Sequence, residues 1–436
     1  MALIASLIGL LFGTFMAVIS GVEKPIQDQF SLNGLWHGFT VCSALFGTIL
    51  GSVIVGKPAD LFGRKSVLMA LAFLFTVASI GSALADSWLM FVSFRFMGGL
   101  AVGASSVLGP MYIAEIAPAD LRGRLVMMYQ FNIVLGILVA LVLNYVIALV
   151  AGVHAWRWML GVHTVPSLVL FFLLFIIPPT PRWLVFKGRH EEAGSILEKL
   201  GNAQPEKELE LITWSLRNQG GKEEVSLRNP KYLTPIVFVV IIALFNQLSG
   251  IAAIMNYAPR IFEMAGFAAE MALMQALIIG AVNMVFTIMA IPLIDRFGRK
   301  KLLIWGAVGM VVFLGLVSAN FYFAVTDNRF LVFYLVGFIA FFAFSQGAVV
   351  WVFISEIVPN KIRAKGQALG SFIHSTTSAL LTWFFPMITE TIPHGGAIIF
   401  AVFALFMLLQ IGVVQKFLPE TKGKTLEEIQ QSLGID

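Results

Sequence analysis

The chain has 436 residues, of which 58% are hydrophobic and only 12% charged. About a quarter of a soluble protein's residues are charged, so this composition excludes a soluble enzyme, a nucleic-acid-binding protein and a secreted disulfide scaffold, and the single cysteine, Cys42, has nothing to bridge to. The net charge of +5 calls for no polyanionic partner, because it follows from where the basic residues sit.

Taken in chain order, apolar stretches long enough to cross about 30 Å of hydrocarbon as helices run over 2–22, 38–57, 66–85, 89–111, 126–150 and 157–178. After a polar interval they resume over 234–256, 271–294, 302–324, 330–354, 368–389 and 395–417. The fold class expected is all-α and membrane-embedded, with twelve spans in two six-helix bundles. On these bounds no Asp or Glu falls well inside a span. The first stretch lacks a basic leader and a small-residue cleavage site, so it reads as a helix rather than a signal peptide.

The short loops on one side hold Lys57, Arg64, Lys65, Arg122, Arg124, Arg296, Arg299, Lys300, Lys301, Lys361, Arg363 and Lys365, against Lys24, Arg157, Arg260 and Arg329 on the other. That bias puts both termini and the central loop in the cytoplasm of a cell with this protein in its cell membrane. The expected organisation is an N-terminal bundle over 1–178, a linker over 179–233, a C-terminal bundle over 234–417 and a tail over 418–436. In the linker, Ala193, Ile196, Leu197 and Leu200, then Leu209, Ile212 and Leu216, recur at helical spacing and predict short amphipathic helices.

The two halves repeat. Asp60-Leu-Phe-Gly-Arg64-Lys65 matches Asp295-Arg-Phe-Gly-Arg299-Lys300, and Glu115-Ile-Ala-Pro118 with Arg122 matches Glu356-Ile-Val-Pro359 with Arg363, at offsets of 235 and 241. Such a duplication implies parallel repeats and an alternating-access transporter. Positive-inside anchoring alone explains the arginines. It does not explain the acids Asp60, Asp295, Glu115 and Glu356 in register, which suit charge-assisted bonds that hold a gate.

With these motifs in view, the chain resembles the sugar porter family of the major facilitator superfamily over essentially its whole length. The resemblance also rests on Gly56-Lys-Pro-Ala-Asp-Leu-Phe-Gly-Arg-Lys65, Pro110-Met-Tyr-Ile-Ala-Glu-Ile-Ala-Pro118 with Arg122-Gly-Arg124, Gln247-Leu-Ser-Gly-Ile251 and Pro419-Glu-Thr-Lys-Gly423. It implies a transported monosaccharide, a bacterial inner membrane, a monomer in the lipid bilayer and a sugar site. Carboxamides both donate and accept hydrogen bonds without charge, and tryptophan covers a sugar ring face. Gln130, Asn246, Gln247, Asn283 and Trp351 match by motif, with His374 on span 11. Helix–helix hydrogen bonding is the competing role for these side chains.

The chain also departs from the family pattern. Ala252 stands for an expected asparagine, Ala348 for a proline before Trp351, His374-Ser375 for a polar residue followed by tryptophan, and Pro179 for a glutamate. Proton-coupled members carry an aspartate in span 1 paired with an arginine in span 4 and near an acid in span 6. Here those positions hold Phe15, Arg95 and His163, which count to one common depth. Three readings stay open: a passive facilitator in which Arg95 bonds only neutral groups, a proton symporter that titrates His163, and a ligand sensor that does not transport. Gly51 to Lys57 imitates a phosphate loop, but Pro58 follows and no strand precedes it. The six histidines show no metal-ligand spacing and no catalytic triple can be assembled, so neither a cofactor nor an enzymatic reaction is expected.

Overall fold

The computed structural model describes residues 1–117, 121–200, 204–219, 229–323, 329–359, 362–423, 428 and 431. Among them, eleven helices are long and apolar enough to cross a membrane. In the first half these are span 1 (Ala2–Gln29), span 2 (Gly34–Ile54), span 3 (Arg64–Ala83), span 4 (Trp88–Ile116), span 5 (Arg124–Val150) and span 6 (Ala155–Leu173). In the second half they are span 7 (Pro230–Asn256), span 8 (Ala269–Ala290), span 9 (Arg299–Tyr322), span 10 (Phe330–Ile357) and span 12 (Gly395–Phe417). The helix Arg363–Thr391, with 29 residues, is the remaining span 11. It is long enough to cross, but its run of Ser, Thr and His lowers its hydropathy.

The chain packs as two compact units. One comprises Met1–Val18, Phe46–Ala140 and Arg157–Glu224; the other comprises Ile19–Leu45, Leu141–Trp156 and Val225–Asp436. In the first unit, small residues let backbones touch. A Cβ on Gly13 would strike the Ile133 carbonyl, and one on Gly47, Gly51 or Gly103 the carbonyls of Phe96, Leu100 and Thr48. These Gly-x-x-x-Gly positions are therefore packing surfaces, as expected of membrane helices. Val165, Val169 and Phe172, each more than half exposed, form an apolar stripe along span 6 of the kind that hydrocarbon covers.

The linker folds as three helices, Pro181–Phe186, His190–Lys199 and Pro205–Gln219. Leu184, Val185, Ala193 and Ile196 form their core, with Leu200, Leu209, Ile212 and Leu216 packed against it. In the second unit the core runs through Phe238, Val239, Ile242, Leu303, Val349, Phe353 and Ile354.

Candidate functional site

Span 7 is broken where the sequence reads Gln247-Leu-Ser-Gly-Ile251. Its first helix ends at Leu248, Gly250 takes φ +85° and ψ +6°, and a short helix resumes at Ile251–Asn256. Left-handed backbone favours glycine, and a Cβ here would also meet the Phe403 ring. The break leaves Asn246 and Gln247, each 4% exposed, at a helix end. Gln247 Nε2 donates to Asn246 Oδ1 at 3.0 Å and lies 2.6 Å from His374 Nε2 of span 11. Since the amide donates, that ring nitrogen accepts, and the imidazole is neutral in this contact. The Trp351 ring, 39% exposed, stands 5.2 Å from the His374 ring.

Asn246 Nδ2 reaches the Gln346 carbonyl at 3.4 Å, and Gln346 Nε2 donates to Gln410 Oε1 at 2.7 Å. One π-helical turn, Ala343–Gly347, positions Gln346 inside span 10, and such turns are frequent at functional sites. The carbonyl oxygens Gln247 Oε1 and Gln346 Oε1 are buried and have no partner among the described residues. A hydroxylated ligand donates to such acceptors, and leaving them unmet is costly. Of the other sequence candidates, Asn283 is half-buried on span 8 and Gln130, in the first unit, is exposed.

The structure brings Phe15, Arg95 and His163 together in the first unit. Arg95 is fully buried, donates Nη1 to the Phe15 carbonyl at 3.1 Å, and has its Cζ 4.3 Å from the Phe15 ring centroid. Its Nε and Nη2 have no partner among the described residues. The Phe15 ring fits because position 98 is glycine: a Cβ on Gly98 would meet that ring. Phe15 also lies 5.6 Å from Phe75 and 5.5 Å from His163, centroid to centroid. His163 Nε2 lies 3.1 Å from the Leu11 carbonyl, which can only accept, so this nitrogen carries the hydrogen. Its Nδ1 then accepts from Ser79 Oγ at 2.9 Å, while Ser167 Oγ, 3.1 Å from the same nitrogen, donates its proton to the His163 carbonyl at 2.8 Å. The imidazole is satisfied without taking a second proton.

The duplicated loops share one geometry. Gly63 and Gly298 both have φ +88°, and each starts a helix. Arg64 bonds Asp60 at 2.9 Å, Glu115 at 3.2 Å and the Ala59 carbonyl at 3.0 Å. Arg299 bonds Glu356 at 2.7 and 3.1 Å and the Ile294 carbonyl at 3.3 Å. Lys65 reaches the Phe175 carbonyl and Lys300 that of Gln415, each at 3.0 Å. The side chains of Arg122 and Asp295 lie outside the described residues. Arg363 is half-buried, and its Nε and Nη2 have no partner among the described residues.

A family model described as "Sugar (and other) transporter" matches residues 1–433. The chain belongs to the sugar porter family of the major facilitator superfamily. It is 36% identical over 433 residues to the arabinose-proton symporter of Bacillus subtilis, covering 98% of this chain and 93% of that protein. It is 35% identical over 460 residues to the glucose facilitated diffusion protein of Zymomonas mobilis, covering 99% and 96%. An inward-open structure of the xylose transporter XylE from E. coli superposes with a TM-score of 0.87 at 33% identity, covering 99% of this chain and 98% of that one. The all-helical membrane fold is thus that of the superfamily, and the chain is a sugar transporter, not an enzyme.

Two features of this sugar porter escape the sequence reading. Gln346 and Gln410 carry no motif, and only the π-helical turn shows that one of them faces Asn246. The bound of the first span also needs correction. Span 1 extends to Gln29, and Glu23 within it is 1% exposed. The apolar run ends at the first charge, whereas the helix continues because Glu23 has an arginine partner 237 residues away in sequence.

Proposed function

We propose that this sugar porter carries a monosaccharide across the cell membrane of a bacterium by facilitated diffusion, using alternating access of its two six-helix halves (1–178 and 234–417) as a monomer with both termini cytoplasmic. The observation that carries the passive mode is the Phe15 ring and carbonyl on Arg95, where no carboxylate among the described residues stands to take a proton. Symport through His163 has weaker support, because the Leu11 carbonyl and the Ser79 hydroxyl already satisfy both ring nitrogens of the neutral imidazole. The carboxamides Asn246 and Gln247, with His374 and Trp351, are the proposed sugar contacts, joined by Gln130 and Asn283. The loop residues Asp60, Arg64, Glu115, Arg122, Asp295, Arg299, Glu356 and Arg363 are the proposed inner gate. Relatives named for arabinose, xylose and glucose point to pentoses and hexoses as the first substrates to try.

The test is counterflow of labelled L-arabinose, D-xylose and D-glucose into proteoliposomes, with and without an imposed pH gradient. Exchange that ignores the gradient and is lost in Gln247→Ala supports the proposal. Accumulation that requires an acid exterior would overturn the passive mode, and no movement of any sugar would overturn the substrate class.

A further inference from the structure

A second polar cluster occupies the opposite end of the spans from the Gly63 and Gly298 loops, and neither the sugar contacts nor the inner gate uses it. It lies wholly within the second unit. Glu23 lies in the last two turns of span 1, His37 opens span 2, Arg260 follows span 7 and Glu390 closes span 11. His37 is fully buried, and its Nε2 lies 2.6 Å from Glu23 Oε2. Arg260 donates to the same Glu23 oxygen at 3.0 Å, to Gln27 Oε1 at 2.8 Å and to Glu390 Oε1 at 2.5 Å. Gln27 Nε2 closes the ring of contacts on Glu390 Oε1 at 2.9 Å.

The surrounding elements complete the electrostatic account. Lys24 pairs with Glu263 at the rim, and Asp28 is exposed. Tyr257 faces His37 with ring centroids 5.9 Å apart and commits its hydroxyl to the Thr382 carbonyl. Cys42, on the same span as His37, is a buried free cysteine. Burial alone would lower the pKa of Arg260, but Glu23 and Glu390 outweigh it and raise that pKa above its ordinary value.

The charges do not balance. Two carboxylates, Glu23 and Glu390, face one guanidinium, Arg260, while Lys24 and Glu263 cancel. With His37 neutral the cluster holds one negative charge in excess, shared between buried Glu23 and partly exposed Glu390. One position is free to correct it. Nδ1 of His37 is buried and has no partner among the described residues. A proton there gives two cations for two anions, keeps the Nε2–H bond to Glu23, and sets an imidazolium beside the Tyr257 ring.

We propose that Glu23, His37, Arg260 and Glu390 form a proton-binding latch in which His37 takes up one proton when the cluster assembles and releases it when the cluster parts. A proton bound in the closed arrangement and lost in the open one favours closure in acid and opening in base, by mass action. The proton enters and leaves at the same end, so the latch governs rate and drives no accumulation. The inference needs only a transporter of this family and stands apart from the facilitated-diffusion reading.

The experiment is equilibrium exchange of labelled L-arabinose, D-xylose or D-glucose in proteoliposomes at equal pH on both sides. Wild-type exchange should fall about fivefold or more between about pH 8 and about pH 5.5, within the ceiling of about tenfold per pH unit that one linked proton sets. His37→Gln keeps a donor for Glu23 but binds no proton, so its profile should be flat. Glu390→Gln removes the excess charge from a partly exposed position and should flatten the profile as well, which guards against a His37 variant that fails to fold. A second readout needs no sugar: the maleimide reaction of Cys42, the only cysteine, divided by the rate of the unfolded chain at the same pH. Acid should protect Cys42 in the wild type and in neither variant. The latch is overturned if both variants keep the wild-type profile, if the wild type shows no pH dependence in either readout, or if acid speeds exchange and exposes Cys42. Accumulation under an imposed gradient would count against the passive mode alone.

Discussion

Replacing Phe15 by aspartate tests the passive mode most directly. Phe15 is 2% exposed and packs on Phe75, His163, Gly98 and the Arg95 guanidinium. Removing a buried phenylalanine costs about 3–5 kcal/mol, and losing the cation–π contact costs about 0.5–2 kcal/mol more. Against this, a carboxylate gives partners to Arg95 Nε and Nη2, and each buried unmet donor costs about 1–3 kcal/mol. At mid-range these terms leave a net loss of about 1 kcal/mol, an ordinary mutational effect that a folded transporter survives. The new acid beside Arg95 also adds a titratable group at the coupling position. At one proton per sugar, a one-unit pH gradient supplies about 1.4 kcal/mol and sustains up to about tenfold accumulation. The assay is uptake into proteoliposomes with acid outside, and Phe15→Asn is the control that offers Arg95 a hydrogen bond but no proton site. The expected pattern is accumulation in Phe15→Asp, and none in Phe15→Asn or the wild type. If Phe15→Asp folds and exchanges sugar yet accumulates none, position 15 does not decide the energetics and the reasoning fails.

Four further expectations follow from packing and charge. Glu420 accepts the backbone N–H groups of Arg299, Lys300, Thr421 and Lys422 at 2.9–3.1 Å, so Glu420→Gln should lower thermal stability by about 1–2 kcal/mol through loss of charge at a helix N-terminus. Pro179 holds the position that duplicates Glu420, at the same offset of 241 that relates Glu115 to Glu356; Pro179→Glu should raise the melting temperature, by about 0.5–1 kcal/mol of added stability, and slow exchange. Gly103→Leu drives a side chain into the Thr48 carbonyl and should cost at least about 1–3 kcal/mol in detergent unfolding. Gly315→Ala, whose Cβ meets nothing within 4 Å, should be neutral or mildly stabilising.

Twelve apolar runs are legible in the sequence because hydrocarbon demands contiguous stretches of fixed length, whatever packs against them. Duplicated loops are legible because the same four chemical requirements, an arginine, its acid, a positive-φ glycine and a lysine for a distant carbonyl, recur twice. Asn246 and Gln247 could be named from their motif. Their partners could not: Gln346 reaches Asn246 only through a shifted hydrogen-bond register in span 10, which no residue pattern announces. Glu23 was hidden for a different reason. Hydropathy scores a residue against its sequence neighbours, while the burial of a carboxylate is decided by a guanidinium brought from elsewhere in the fold.

The fate of the span 1 acid links these observations. The family pattern expects a carboxylate at position 15, opposite Arg95, and the structure has a phenyl ring there. A buried carboxylate is nevertheless present on the same span. It is Glu23, eight residues on in sequence, and it bonds Arg260 and His37 instead. At the first position an acid would face an arginine that has few other partners, so losing or gaining one proton would change that pairing outright. At the second, the acid is one member of a cluster that also holds Gln27 and Glu390, and a proton on His37 adjusts the balance of the cluster without dismantling it. On the proposed readings, an acid opposite Arg95 would tie a proton to the transport cycle, whereas a proton on the Glu23 cluster sets only how readily that end of the spans opens.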